Sequence, residues 1–371
     1  MKQFLVIQTA FLGDAVLVTS IVEKLHAWHP DAQIDLVVRK GNELLFAKGQ
    51  VVGGTLERAA GEMADGTYVP GFHEHPFLRR IFIWDKRQGK TRSLFRLIGE
   101  LRKTRYDHIF NAQRFFSSGL VMLLAHGNEK VGYDKNPLSF LFSRKVKHVI
   151  PDPKEMRGRA PSPDDPLHEV DRLNALIAHL TDATRPLPKL YPFAGARELA
   201  EHVVYKYTED EGRYVCIAPS SVWHTKQWPE QKWVELVRSL PPELHVFYIG
   251  APTPNDYSLC KRIADASGRG EVVIEELLSP LASAALMQGA AMNYVNDSAP
   301  LHIASAMNAP VTAVFCSTVP AFGFGPLRAN GRIVETTEKL DCRPCGLHGY
   351  RACPEGHFRC ALGIDVRTVL T

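Results

Sequence analysis

Three polar clusters, each following a short apolar run, carry residue types able to do chemistry. The first is Phe11-Leu12-Gly13-Asp14. Asp14 suits either a helix cap or a carboxylate at a strand end, where it can act as a general base. The second is Pro219-Ser220-Ser221-Val222-Trp223-His224-Thr225-Lys226-Gln227-Trp228-Pro229. Paired hydroxyls and an ammonium group bind phosphate oxygens, although serine and lysine are also ordinary loop residues. The third is Asn296-Asp297-Ser298-Ala299-Pro300-Leu301-His302. Asp297 and Ser298 both suit a helix start, and Pro300 suits a first turn. The orphan N–H groups and positive dipole end of such a helix hold anions such as a diphosphate. His302 either reaches the same anion or is satisfied in the core.

Each cluster needs a strand to deliver it and a helix to leave it, and the apolar periodicity supplies both. A strand over 4–8, a helix over 15–27 and a strand over 34–38 open the chain. Strands at 81–84 and 108–111 follow, with helices over 93–103, 118–125 and 168–180. The second half reads as strands at 214–218, 245–250, 272–274, 294–296 and 311–315, separated by helices over 230–240, 257–266 and 281–288. This alternation predicts an α/β chain of two Rossmann-like domains, with ligands at the carboxyl ends of parallel strands. Pro186-Leu187-Pro188 reads as the linker, giving domains 1–185 and 186–371. The rhythm fails over 47–73, where glycines punctuate a polar segment, and again over 151–166.

A chain of 371 residues exceeds one typical domain, and its 45% apolar content supplies cores for two. The formal charge of +4 is mildly basic, which fits an anionic ligand or membrane surface and argues little for nucleic acid. No apolar run is long enough to span a bilayer. The opening Met1-Lys2-Gln3-Phe4-Leu5-Val6-Ile7 superficially resembles a signal peptide, but the pattern continues as a folded unit, so a cytoplasmic protein is expected. No G-x-G-x-x-G follows the first strand and no P-loop motif occurs, which disfavours a nicotinamide dehydrogenase or P-loop NTPase. Lys86, Arg87, Lys90, Arg92, Arg96, Arg102, Lys103 and Arg105 form a cationic strip: a solvated helix face, or a surface for acidic lipid or a phosphorylated acceptor. Of seven cysteines, Cys342, Cys345, Cys353 and Cys360 cluster near the end, as free thiols, zinc ligands or disulfides.

With these three loops in this order, the chain resembles glycosyltransferase family 9, the ADP-heptose:lipopolysaccharide heptosyltransferase family. The resemblance rests on Phe11-Leu12-Gly13-Asp14, Lys226-Gln227-Trp228-Pro229 and Asn296-Asp297-Ser298-x-x-x-His302. It implies a GT-B architecture, with an acceptor-binding N-terminal domain and a nucleotide-sugar-binding C-terminal domain facing a central cleft. It implies inverting transfer of a heptose or related sugar from a nucleotide diphosphate to a lipopolysaccharide core or similar glycolipid, with no cofactor and no metal. Asp14 would be the base, with Gly13 and Arg114 on the acceptor side. Ser220, Ser221 and Lys226 would hold the diphosphate and stabilise its charge as it leaves, with Asp297, Ser298, Ala299 and His302 completing the donor site. A glycolipid acceptor implies peripheral association with the inner face of the cytoplasmic membrane. The chain departs from the family pattern at Ala299, where glycine is usual, at Phe315-Cys316-Ser317, where Phe-Gly-Pro is usual, and over 47–73, which reads as an insertion in the acceptor half. A sugar-nucleotide epimerase and a non-catalytic nucleotide-sugar-binding protein are the competing readings.

Overall fold

The computed structural model describes the chain apart from residues 48–54, 59–71, 74, 87–89, 159–167, 209–211, 278, 328 and 330. For 55–58, 72–73 and 90 the backbone alone is described. The chain forms two compact units: Met1–Val149 with Glu169–Phe193, and Ile150–His168 with Ala194–Thr371.

The first unit runs β1 (Gln3–Gln8), α1 (Leu12–Leu17), α2 (Thr19–Trp28), β2 (Gln33–Arg39), β3 (Thr55–Arg58), β4 (Phe72–His73), β5 (Leu78–Trp84), α3 (Lys90–Leu101), β6 (Tyr106–Asn111), α4 (Phe116–Leu124), β7 (Gly127–Tyr133), β8 (Arg144–Val146) and α5 (Glu169–Ile177). Its sheet has the order β4-β3-β5-β2-β1-β6-β7-β8. Phe4, Leu5, Val6 and Ile7 are all fully buried, as expected of a central strand covered on both faces. The run that resembles a signal peptide is therefore the middle of the sheet. From β5 to β8 the pairings are parallel, and β3 pairs antiparallel with β5. β3 and β4 are the described parts of the segment read as an insertion; the rest lies outside the described residues.

The single helix expected over 15–27 is two helices meeting at Val18. Thr19 Oγ1 donates to Val16 O at 2.7 Å and Ser20 Oγ to Leu17 O at 2.7 Å. Hydroxyls that bond back onto the preceding turn bend a helix, and a hydrophobic periodicity does not register them.

The second unit runs α6 (Ala194–Tyr207), β9 (Tyr214–Ala218), α7 (Glu230–Ser239), β10 (His245–Tyr248), α8 (Pro254–Ser267), β11 (Glu271–Val272), α9 (Pro280–Gly289), β12 (Met292–Asn296), α10 (Ala299–Ala306), β13 (Val311–Phe315), β14 (Gly331–Glu335), α11 (Arg359–Leu362) and α12 (Val366–Leu370). Its strands pair in parallel in the order β11-β10-β9-β12-β13-β14. α6 is a helix that the sequence reading leaves unassigned. Trp228 and Trp233 meet edge-to-face at 5.1 Å inside the core of this unit and are packing residues.

At the amino edge of the first sheet, Asp35 is fully buried and gathers three partners. Arg79 Nη2 stands 2.5 Å and Arg80 Nη2 2.7 Å from Oδ2, and the Tyr106 hydroxyl donates to Oδ2 at 2.8 Å. This network ties β2, β5 and β6 together across β1. Replacing Asp35 with alanine removes the buried acceptor that Arg79, Arg80 and Tyr106 share, so stability in urea titration is expected to fall by about 1.5–3 kcal/mol. A loss under about 1 kcal/mol would mean the network is no stronger than an exposed ion pair.

Candidate active site

In the second unit, β9, β12 and β13 lie side by side and parallel, so the loops leaving their carboxyl ends share one edge. Asn296, the last residue of β12, organises that edge. Its Nδ2 donates to Pro219 O at 2.7 Å, and its Oδ1 accepts the Trp228 N–H at 3.0 Å. One fully buried amide thus pins both ends of the Pro219–Trp228 loop. Inside the loop, the Gln227 amide nitrogen donates to Ser221 O at 2.6 Å.

That loop carries Lys226 to Asp297. Lys226 Nζ stands 2.7 Å from Asp297 Oδ2, with side-chain exposures of 15% and 8%. The same oxygen accepts the Thr318 hydroxyl at 2.6 Å. Asp297 is therefore committed to an ion pair rather than to capping α10. Ser298 takes the N-cap position without making the capping bond; its hydroxyl turns back to Asn296 O at 3.4 Å. The first turn of α10, beginning at Ala299, lies beside a near-buried ammonium, an arrangement suited to an anion.

Ser220 and Ser221 differ in a way the sequence does not reveal. Ser220 Oγ donates to Asp256 Oδ2 at 2.6 Å, and that carboxylate also accepts the Ala251 N–H at 3.0 Å. The Ser220 proton is thus spent on a carboxylate, whereas Ser221 is half-buried and its hydroxyl makes no hydrogen bond among the described residues. His302 is buried on α10, its Nδ1 has no hydrogen-bond partner among the described residues, and Phe324 meets its ring edge-on at 6.2 Å. Burial, then the nearby His168, push its pKa down to about 3, with Asp297 opposing. In the empty protein His302 is a neutral imidazole, not a cation awaiting phosphate.

The cysteine-bearing tail closes over this edge. Arg343 donates to Cys316 O at 2.7 Å and Thr318 O at 2.7 Å, and pairs with Glu335 at 2.6 Å. Tyr350 N donates to Thr225 Oγ1 at 2.7 Å, and Thr225 N donates to Tyr350 O at 3.1 Å. Gly349 has φ +77°, and a side chain there would meet Thr225 Oγ1 at 2.8 Å, so glycine is needed on both counts. All seven cysteines are free thiols; Cys342 Sγ lies 3.8 Å from His357 Nε2. Among the tail's side chains it is Arg343, not a thiol, that holds the loop after β13.

In the first unit the parallel neighbours β1 and β6 bring Asp14 and Arg114 to one edge. Asp14 lies in the first turn of α1, half-buried, and is not the N-cap: that is Phe11, whose N–H donates to Asp14 Oδ2 at 3.2 Å. Gly13 precedes it in the same turn. Asn42 Nδ2 donates to Ala10 O at 3.0 Å and fixes the loop from the β2 side. Arg114, half-buried after β6, helps hold His148 down at about 4, behind burial and Arg172. Buried Glu169 pairs with Arg172 at 2.6 Å, and burial raises its pKa nonetheless. Sequence reasoning quotes Asn296 in the third cluster without a role of its own, and gives no site role to Thr318, Asp256, Arg343, Glu169 or Arg172. The asparagine closing β12 just before Asp297 was the one local signal.

The two sheets with their covering helices define the fold class as GT-B. Two solved structures share it: E. coli ADP-heptose lipopolysaccharide heptosyltransferase II, at TM-score 0.69 and 19% identity over 100% of this chain and 96% of that one, and an E. coli heptosyltransferase with ADP, at TM-score 0.65 and 19% identity over 92% and 95%. Residues 94–348 match glycosyltransferase family 9 (heptosyltransferase), and the chain belongs to that family. Lipopolysaccharide heptosyltransferase 1 of E. coli K12 is 26% identical over 232 residues, 61% of this chain and 66% of that relative, so the match spans just under two thirds of its length.

Stability should report the two buried histidines. An unfolded histidine titrates near 6.5, whereas His148 and His302 stay neutral in the fold down to about 4 and about 3. Between those values the unfolded chain binds more protons, so stability is full above about pH 6.5 and is lost as pH falls through that window. The urea midpoint is expected to drop steadily from pH 7 to pH 4, and His302→Gln to drop less steeply. Equal slopes would count against His302 as the titrating group.

Proposed function

We propose that the protein is an inverting, metal-independent glycosyltransferase that moves a heptose, or a related sugar, from a nucleoside diphosphate to a lipopolysaccharide core or related glycolipid. The observation that carries this reading is the Lys226–Asp297 pair at the start of α10, 2.7 Å apart and nearly buried. An ammonium held beside a helix N-terminus suits a diphosphate, both bound and as it accumulates charge on leaving. That an E. coli protein of the same fold was solved with ADP makes an adenine nucleotide the first donor to try.

In the proposed step the acceptor hydroxyl gives its proton to the Asp14 carboxylate while its oxygen attacks the anomeric carbon. The bond from that carbon to the diphosphate oxygen breaks, and its electron pair leaves with the nucleotide. Attack from the face opposite the leaving group inverts the anomeric centre. Lys226, Ser221, Ser298 and the backbone at Ala299 stabilise the departing phosphate oxygens, and neutral His302 offers a ring N–H. The Lys226–Asp297 pair keeps the ammonium aimed before donor arrives, so little reorganisation is needed. Gly13 and Arg114 lie on the acceptor side, with the N-terminal domain reading the acceptor and the C-terminal domain the nucleotide-sugar.

Two variants test these roles. Asp14→Ala is expected to lower kcat by about two to four orders of magnitude while calorimetric ADP affinity stays within about twofold. Lys226→Ala is expected to weaken ADP by about tenfold or more while adenosine binding is unchanged. Undiminished transfer without Asp14, or equal loss of ADP and adenosine without Lys226, removes the corresponding role.

A further inference from the structure

The first unit carries an exposed apolar patch that the proposed chemistry does not use. Phe115, Phe116, Phe140 and Leu141 are 59%, 55%, 72% and 55% exposed. Two loops supply them, one entering α4 after β6 and one following β7. Asn136 joins the loops: its Nδ2 donates to Phe115 O at 2.9 Å, and its O accepts the Ser139 N–H at 2.9 Å. Its side chain also receives the Leu138 N–H at 3.0 Å. The four side chains therefore stand on one braced platform rather than on separate loops.

Charge around them is mostly cationic. Between residues 108 and 149 the acids are Glu129, paired with Arg144, and exposed Asp134, whose Oδ1 accepts the His148 N–H at 2.9 Å, against exposed Lys135, Arg144, Lys145 and Lys147. α3 packs beside α4, and its exposed Arg92, Phe95 and Arg96 continue the same composition; its one acid, Glu100, pairs with Lys103 at its far end. Arg92 and Arg96 of the cationic strip thereby accompany the exposed Phe95 instead of facing water alone. Bulky apolar groups with a predominantly cationic surround match the interface of an anionic bilayer, where rings enter the headgroup layer and lysines meet phosphates.

Position gives the patch a purpose. β1, β6 and β7 are parallel neighbours, so the loops bearing Asp14, Phe115–Phe116 and Phe140–Leu141 all leave the carboxyl edge of one sheet. We propose that this patch docks the first unit on an anionic lipid surface, so that a membrane-anchored acceptor presents its sugar to the edge that carries Asp14. The purpose rests on the transferase reading above; the docking itself rests on exposure and charge alone.

The test uses the full chain and two variants, Phe140→Ser with Leu141→Ser, and Lys145→Gln with Lys147→Gln. Each is sedimented with vesicles of phosphatidylcholine alone or with a third phosphatidylglycerol. Wild-type protein is expected to pellet with the anionic vesicles and not with the neutral ones, and each double variant to partition about tenfold less. Sugar transfer to a deacylated, soluble core acceptor should be unchanged in both variants, and transfer to the vesicle-embedded acceptor should fall with partitioning. Wild-type protein that ignores anionic vesicles overturns the proposal, as do variants that still pellet. If light scattering shows instead that the apolar variant abolishes a dimer, the patch joins two copies and the lipid assignment fails. Patch-dependent vesicle binding without transfer to either acceptor upholds the docking and removes the transferase reading.

Discussion

A single buried amide holds the carboxyl edge of the second unit's sheet together. Asn296 receives the Trp228 N–H and donates to Pro219 O, so the loop between them has both ends fixed to β12. The consequence reaches Lys226, which sits two residues from the pinned end. It ends a 3₁₀ turn over His224–Lys226 and lies 2.7 Å from Asp297. A cation aimed this way has already met the cost of ordering a long side chain. Thr318 adds a second contact to the same carboxylate, and Arg343 holds the backbone on which Thr318 stands. The tail thus serves the site through hydrogen bonds that do not depend on the oxidation state of its thiols.

The first unit divides its work between the two edges of its sheet. The amino edge carries Asp35 and its three partners, a closed network suited to stability. The carboxyl edge carries Asp14, Arg114 and the loops with exposed phenylalanines. Parallel sheets concentrate function in this way because the loops at one edge all lead into helix N-termini. The chain follows that rule in both units, and it is why residues far apart in sequence, such as Asp14 and Arg114, share an edge.

Much of this was legible in the sequence because strands buried on both faces leave continuous apolar runs. β1, β9 and β13 are such runs, and their boundaries emerge within a residue or two. The three polar loops were also visible, since Gly-Asp, Ser-Ser and Asn-Asp-Ser interrupt apolar segments abruptly. What the sequence concealed were choices made by long-range hydrogen bonds. Ser220 and Ser221 look equivalent until Asp256, in the first turn of α8, claims one of them. Asp297 reads as a cap until Lys226 claims it. His302 reads equally as an anion contact or a core residue, and its burial with a depressed pKa is what only the fold reveals. The division of one expected helix at Val18 depends on two hydroxyls turned toward their own backbone, which a hydrophobic period cannot register.

The central claim is transfer with inversion, and the product's stereochemistry tests it most directly. Purified protein is incubated with an ADP-activated heptose of known anomeric configuration and a deacylated lipopolysaccharide core, and the new glycosidic linkage is read by one-bond carbon–proton coupling. A linked heptose with the opposite anomeric configuration to the donor, formed in the presence of a chelator, is the predicted result. Retention of configuration, a chelator-sensitive reaction, or a donor sugar epimerised without any linkage to the core would contradict it.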